Sequence, residues 1–262
     1  MQVATGYALE AQGLVRDFSG FRALGGKQGV DLRIRTGDVH ALIGPNGAGK
    51  TTCFNLLTRF IEATAGRIVF QGRDITHLAP DAVARLGLVR SFQISAVFAQ
   101  LSVFENVRLA LQRRRGHSLD WWRSDRVLRV HNARAHELLA QVGLDDQADR
   151  PAGELPYGRK RALELATTLA LEPQMLLLDE PTSGMGSEDI AHATELIRAA
   201  ALGRTVLMVE HNLSVVANLC DRITVLAQGE VLAEGDYASI AQHEAVMQAY
   251  LGKTTKSRSR DV

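Results

Sequence analysis

Nine consecutive residues, Gly44, Pro45, Asn46, Gly47, Ala48, Gly49, Lys50, Thr51 and Thr52, have the spacing of a phosphate-binding loop, G-x-x-x-x-G-K-[ST]. Glycines let the backbone turn tightly and aim successive N–H groups at phosphate oxygens, and the positive end of a following helix dipole adds to the pull on the anion. Lys50 can then reach the β and γ phosphates of a nucleoside triphosphate, and the Thr51 hydroxyl can ligate Mg²⁺. A second chemical group lies far downstream, where the apolar run Met175-Leu-Leu-Leu178 is followed by Asp179 and Glu180. At the carboxyl end of a buried strand, where open α/β sheets place their ligands, Asp179 would hold Mg²⁺ through water. Glu180 would orient or deprotonate an attacking water. The alternative is that both acids cap the next helix.

The elements around these residues are the ones such chemistry needs. The apolar run Val39-His-Ala-Leu-Ile43 reads as the strand before the loop, and Thr52-Cys-Phe-Asn-Leu-Leu57 as the helix after it. Alternation at Val30, Leu32 and Ile34, and at Ile68 and Phe70 between Gly66 and Gly72, predicts an antiparallel sheet beside the loop. A middle zone, about 95–165, reads as helical: Ser102-Val-Phe-Glu105 is a capping box, and the apolar periodicity of 128–142 ends at Gly143, a C′ glycine. A basic, tryptophan-containing insertion, 113–122, interrupts it; Trp121 and Trp122 there either pack in the helical zone or engage a ligand. Beyond Asp179, a helix over 187–202 with Ser187 as its N-cap, a strand over 205–209, a helix over 213–219 and a strand over 223–226 return to the alternation of a mostly parallel sheet with helices on both faces.

Composition sets outer bounds. A chain of 262 residues, 46% hydrophobic, suffices for one large domain or two small ones. Its net charge of +1 gives no basic footprint for duplex nucleic acid. Cys53 and Cys220 sit in apolar segments without metal spacing and read as small core residues in a reducing compartment. No stretch approaches the roughly 18 apolar residues of a membrane-crossing helix, and the start lacks a signal-peptide layout. The expectation is a cytoplasmic chain whose contact with any membrane is peripheral. The polar tail 253–262 is expected to be disordered, either solvated or brushing an anionic lipid surface with its four basic residues.

From Phe18 to Gly252 the chain resembles the ATP-binding-cassette ATPases of ABC transporters. Asp179-Glu-Pro-Thr182 is similar to their extended Walker B segment, Gln93 after Phe92 to their glutamine loop, and His211 after Glu210 to their switch histidine. Leu155, Pro156, Tyr157, Gly158 and Arg159 stand where their signature loop should be. Phe18 aligns with the aromatic that stacks on adenine, with Phe21 as a rival because Gly25-Gly-Lys-Gln28 lengthens the interval. The resemblance implies a P-loop NTPase (RecA-like) α/β core with an antiparallel β subdomain and an inserted helical subdomain, over 1–252. It implies ATP and Mg²⁺ as cofactors, Thr51, Gln93 and Asp179 near the metal, and Glu180, His211 and Gln93 at the reacting phosphate. Gln93 also begins a loop that senses the transport partner in that family.

A narrower resemblance, to the larger ATPase subunit of branched-chain amino-acid importers, rests on Phe18-Ser-Gly-Phe-Arg-Ala-Leu24, on the Pro-Tyr-Gly form of the signature, on Leu163-Glu-Leu-Ala166 and on Ala249-Tyr-Leu-Gly252. It implies an ATP-hydrolysing subunit at the cytoplasmic face of the membrane. Integral permease subunits and a second ATPase chain would be its direct partners, and an external binding protein an indirect one. A nucleic-acid or ribosome-directed cassette ATPase, or the ATPase of a lipid or polysaccharide exporter, are the alternatives.

Some residues depart from the family pattern. Pro156 replaces the usual signature serine and offers neither hydroxyl nor N–H. Arg159, Lys160 and Arg161 put three positive charges at a helix start, which the dipole disfavours unless an anion is near; a partner's ATP would be one. Gly186 replaces an aspartate expected to reach across a dimer. Because the signature serves the ATP of the facing subunit, these oddities predict pairing with a different ATPase chain and two unequal sites, with a homodimer as the alternative.

Overall fold

The computed structural model describes residues 6–91, 97–113 and 129–251, so Gln93, Trp121, Trp122 and the tail 253–262 lie outside the described residues. The first sheet is antiparallel throughout: strand β1 (Tyr7–Phe18) pairs with β2 (Phe21–Leu24), β3 (Val30–Arg35) and β5 (Ala65–Phe70), and β5 with the short β6 (Arg73–Asp74). Its burial alternates as the sequence predicts, with Val30, Leu32 and Ile34 inward and their neighbours outward. Ser19 and Gly20 link β1 to β2 with φ of 44° and 91°, a type I′ hairpin turn whose twist suits the flanking strands.

Between β3 and β5 come β4 (Val39–Ile43) and helix α1 (Lys50–Leu57), and after β6 come α2 (Pro80–Arg85) and β7 (Leu88–Ser91). The middle of the chain supplies α3 (Val103–Arg113), α4 (Asn132–Gln141) and α5 (Tyr157–Leu169). Then follow β8 (Met175–Asp179), α6 (Ser187–Ala201), β9 (Thr205–Val209), α7 (Leu213–Leu219), β10 (Arg222–Ala227), β11 (Glu230–Gly235), α8 (Tyr237–Ala241) and α9 (Glu244–Leu251).

The second sheet has the order β11-β10-β4-β9-β8-β7, parallel except for the edge strand β11. β4, β8 and β9 are buried at every residue, which is why they read as unbroken apolar runs. Successive residues of these strands enter different cores. Ala41, Ile43, Leu176, Leu178, Val206 and Met208 face α3 to α7, whereas Leu42, Met175, Leu177, Leu207 and Val209 face α1 and the antiparallel sheet. The sheet is thus covered on both faces, and the carboxyl ends of β4, β8 and β9 lie along one edge.

Local signals account for the helices. The Ser102 N–H donates to Glu105 Oε2 at 2.8 Å and the Glu105 N–H to Ser102 Oγ at 3.1 Å, the reciprocal bonds of a capping box. Val103, Val107 and Leu111 then form the buried stripe of α3. Gly143 ends the α4 region with φ of 68°, as a C′ glycine does. At α6 the expected cap is displaced by one residue: Gly186, in extended conformation, is the N-cap, and Ser187 is the first helical residue. The acidic first turn, Glu188 and Asp189, favours that helix start without a capping side chain.

Burial pushes the Cys53 thiol up to about 12, as for an inert core residue; the half-buried Cys220 thiol is also pushed up to about 12, by burial and by the nearby Asp221 and Glu210 carboxylates. His40 is fully buried in β4 with Nε2 2.8 Å from Thr224 Oγ1, and burial pushes its pKa down to about 4, with Arg222 adding to the shift and Glu234 opposing it. In the unfolded chain the imidazole takes a proton below about pH 6.5. The unfolded state therefore binds more protons between that value and the folded one, and stability falls as pH drops through this window. Between about pH 7 and about pH 4.5, urea unfolding of His40→Gln should lose roughly 2 to 3 kcal/mol less stability than the parent. Equal acid slopes would show that His40 is protonated in both states or in neither.

Candidate active site

The phosphate loop leaves β4 at Gly44, where two constraints act together. Gly44 has φ of 149°, and a Cβ there would lie 2.0 Å from the Leu226 carbonyl oxygen of β10. Gly49, the N-cap of α1 with φ of 99°, would bring a Cβ within 2.9 Å of the Ala23 oxygen. Between them the chain turns back at Pro45, whose carbonyl accepts from the Ala48 N–H at 3.1 Å, while Asn46 and Gly47 are exposed and Ala48 is buried. Lys50 is buried, and its Nζ donates to the carbonyls of Gly44 at 2.7 Å and Pro45 at 3.1 Å. The ammonium is thereby curled over the loop's own mouth. Thr51 is exposed at the first turn of α1, and Thr52 is half-buried.

Asp179, at the end of β8, is buried and receives a short hydrogen bond from the Arg90 guanidinium of β7. The other amino group of Arg90 donates to Asn55 Oδ1 of α1 at 2.5 Å, and its guanidinium lies 5.8 Å from the ring centroids of Phe54 and Phe60. Arg90 was missed in the sequence. Its signal was slight, a single cation at the end of the short apolar strand Leu88-Val-Arg-Ser91.

Glu180 follows with φ of 48°, a left-handed conformation unusual for its side chain and of the kind that collects at functional positions. The conformation turns the carboxylate towards the end of β9, where Glu180 Oε1 lies 2.8 Å from His211 Nε2. The sequence predicted both residues but not their direct contact. Glu210, also unpredicted, is buried behind them and accepts hydrogen bonds from Thr182, His211 and Asn212. A second unpredicted neighbour is Tyr250 of α9: burial raises its pKa against an opposing hydrogen bond with the Gly44 backbone, which places the last helix at the start of the loop.

The signature segment lies at the start of α5. Leu155 is buried, Pro156 is the N-cap, and Tyr157 opens the helix with its hydroxyl donating to the Ser183 carbonyl at 3.0 Å. At an N-cap the missing proline N–H breaks no helical bond, and the Pro156 carbonyl accepts from the Lys160 N–H at 2.9 Å. Gly158 faces Asp189 of α6, whose Oδ1 would be 3.1 Å from an added Cβ. Two of the three basic residues have partners within the chain: Arg159 donates to the Gly143 carbonyl, and Arg161 to Glu164 Oε2 at 2.8 Å and to the Tyr157 hydroxyl at 3.0 Å. Of the two, only Arg161 meets a carboxylate; Arg159 keeps its positive charge beside a neutral carbonyl at the helix start.

Phe18 and Phe21 are register partners across the β1–β2 hairpin. The Arg16 guanidinium covers one face of Phe18 at 4.4 Å, and Phe21 is the more exposed, at 69% against 40%. The residues 25–28 that lengthen the interval dock on the β10–β11 hairpin, with the Gly25 N–H donating to the Gly229 carbonyl at 2.7 Å and the Lys27 N–H to Glu230 Oε1 at 3.1 Å.

The ABC transporter family pattern matches residues 27–183, and a pattern described as branched-chain amino acid ATP-binding cassette transporter matches residues 230–254. The high-affinity branched-chain amino acid transport ATP-binding protein LivG of Salmonella typhimurium is 36% identical over 252 residues, covering 94% of this chain and 98% of its own. BraF of Pseudomonas aeruginosa, described in the same words, is 36% identical over 255 residues with the same coverage. Among solved structures, the ADP conformation of an ATP-binding cassette of an ABC transporter superposes with a TM-score of 0.81 at 30% identity, covering 95% of this chain and 100% of that one. A nucleotide-free cassette superposes with a TM-score of 0.80 at 28% identity, covering 93% of this chain and 98% of that one. Similarity that runs nearly end to end in both sequence and fold leaves one assignment: the chain belongs to the ABC transporter family, as a nucleotide-binding ATPase cassette.

Proposed function

We propose that the chain is the ATP-hydrolysing subunit of an importer for branched-chain or other small hydrophobic amino acids, working at the cytoplasmic face of the membrane. The hydrolytic part rests on the 2.8 Å contact between Glu180 and His211, which holds a base and a hydrogen-bonding imidazole together at the carboxyl edge of the sheet. Glu180 takes the proton of the attacking water, and His211 orients Glu180 and bonds the γ phosphate. Lys50 exchanges its carbonyl partners for phosphate oxygens, the N–H groups of the 44–51 loop hold the remaining phosphate charge, and Phe18 or Phe21 stacks on the base. Thr51 and Asp179 are hard oxygen donors of the kind Mg²⁺ accepts beside phosphate and water; when bound, the ion neutralises charge on the β and γ phosphates. Gln93 completes this set and senses the transport partner.

The cargo and the partners are supported by the branched-chain transport function of LivG and BraF and by the match of the C-terminal segment. Integral permease subunits supply the membrane attachment; no described helix is long and apolar enough to cross a membrane. Residues 1–252 act as a single cassette whose helical part, about 95–165, is inserted, and 253–262 form a basic tail. A second ATPase chain faces this one head to tail, and 155–159, with proline for serine, makes the partner-bound ATP the slower site. Vanadate trapping in the purified complex should then capture one nucleotide per pair, and two would exclude the inequality. The whole reading is tested by reconstituting the chain with permease subunits, a second ATPase chain and a binding protein of the branched-chain importer class. ATP-driven uptake of labelled leucine, isoleucine or valine is the expected result. A complex that hydrolyses ATP but moves no small hydrophobic amino acid would overturn the cargo.

A further inference from the structure

Glu210 occupies the position directly after β9 and is 3% exposed. A buried carboxylate is expensive unless donors surround it, and this one receives four hydrogen bonds. Oε1 accepts from the Thr182 N–H at 3.1 Å and from the Thr182 hydroxyl, and Oε2 accepts from the N–H groups of His211 at 2.8 Å and Asn212 at 3.0 Å. Each oxygen thus serves a different loop. Thr182 lies two residues beyond Glu180, and His211 is the neighbour of Glu210 itself. The β8–β9 pairing reaches Asp179 opposite Val209, and the Glu180 N–H adds a bond to the Val209 carbonyl at 2.9 Å. Past that point the Glu210 side chain joins what the strands no longer join.

We infer that Glu210 is a positioning residue for hydrolysis: its carboxylate clamps the loop of Glu180 to the loop of His211 and so sets their 2.8 Å separation. The inference rests on the reading of Glu180 and His211 as the hydrolytic pair. It needs an acceptor at both oxygens. Glutamine has the same shape, yet it turns an NH₂ group either onto Thr182 or onto His211 and Asn212, setting donor against donor. One loop is then released, and misplacement on the order of 1 Å at a reacting group costs up to about 10²-fold in rate. The phosphate loop at 44–51 belongs to β4 and α1 and is not touched by this change.

The experiment measures kcat and KM for ATP in the purified complex with its second ATPase chain, this chain carrying Glu210→Gln, Thr182→Val or His211→Ala. Glu210→Gln should lower kcat by about 10- to 100-fold with KM within about twofold of the parent, because positioning is lost and binding is kept. Thr182→Val removes one donor of the four, should lower kcat by a smaller factor in the same direction, and decides the matter if Glu210→Gln fails to fold. An unchanged kcat in these variants while His211→Ala is impaired would overturn the clamp alone, and so would a raised KM at unchanged kcat. A His211→Ala chain with the parental rate would overturn the hydrolytic reading and the clamp with it.

Discussion

Replacing Glu180 by glutamine is expected to lower ATP turnover by about 10²- to 10⁴-fold, the usual worth of a positioned general base, with ATP affinity unchanged. The substitution keeps the side chain's length and volume, and it keeps an oxygen able to hold His211. It removes only basicity. The groups proposed to bind the triphosphate, Lys50 and the backbone between Gly44 and Thr51, come from β4 and α1 rather than from β8. Binding and chemistry therefore separate by element. In the head-to-tail pairing proposed for this family member, an ATP that is bound and not cleaved leaves the closed pair without its route to opening. The variant should accumulate as an ATP-bound dimer, seen as a shift in size on adding ATP and by retention of uncleaved nucleotide. Parental turnover in Glu180→Gln would remove Glu180 from the role of base and leave its contact with His211 as a structural tie.

Much of this site was legible because its parts are short and local. A strand buried on both faces reads as an apolar run, so Val39–Ile43, Met175–Asp179 and Thr205–Val209 were visible, as were the functional residues at or beyond their ends. The capping box at Ser102 and Glu105 is likewise a four-residue signal. Interactions between distant segments were not legible. Glu210 looks like any acid before a histidine until Thr182, twenty-eight residues earlier, is seen to donate to it. The basic cluster at 159–161 looked like half of an intermolecular site. Folding gives Arg159 the Gly143 carbonyl and Arg161 the Glu164 carboxylate as partners within the chain, which the spacing did not announce. At α6 the acidic first turn indicated the helix start, and the cap fell one residue earlier because Gly186 takes the extended conformation.

Arg90 is the missed residue with the largest expected effect on stability. Its side chain is 11% exposed and that of its partner Asp179 is 4% exposed, so the pair is largely withdrawn from water. Removing one member of a buried ion pair leaves the other charge uncompensated, at about 3–5 kcal/mol. Arg90→Met keeps an apolar stem against Phe54 and Phe60 and should destabilise the nucleotide-free chain by roughly that amount in urea unfolding. Adding Asp179→Asn should recover most of the loss, because the stranded charge goes with it. Nucleotide supplies a second discriminating measurement. If Asp179 turns towards the metal when Mg²⁺ and ATP bind, the ion replaces Arg90 as its counter-charge, and the gap between Arg90→Met and the parent should narrow with saturating Mg²⁺ and ATP. ATP with chelator should leave the gap as wide as before. A loss below about 1 kcal/mol, the range of an exposed pair, would mean that water already satisfies Asp179. A gap insensitive to Mg²⁺ and ATP would mean that Arg90 and the metal do not share the same carboxylate.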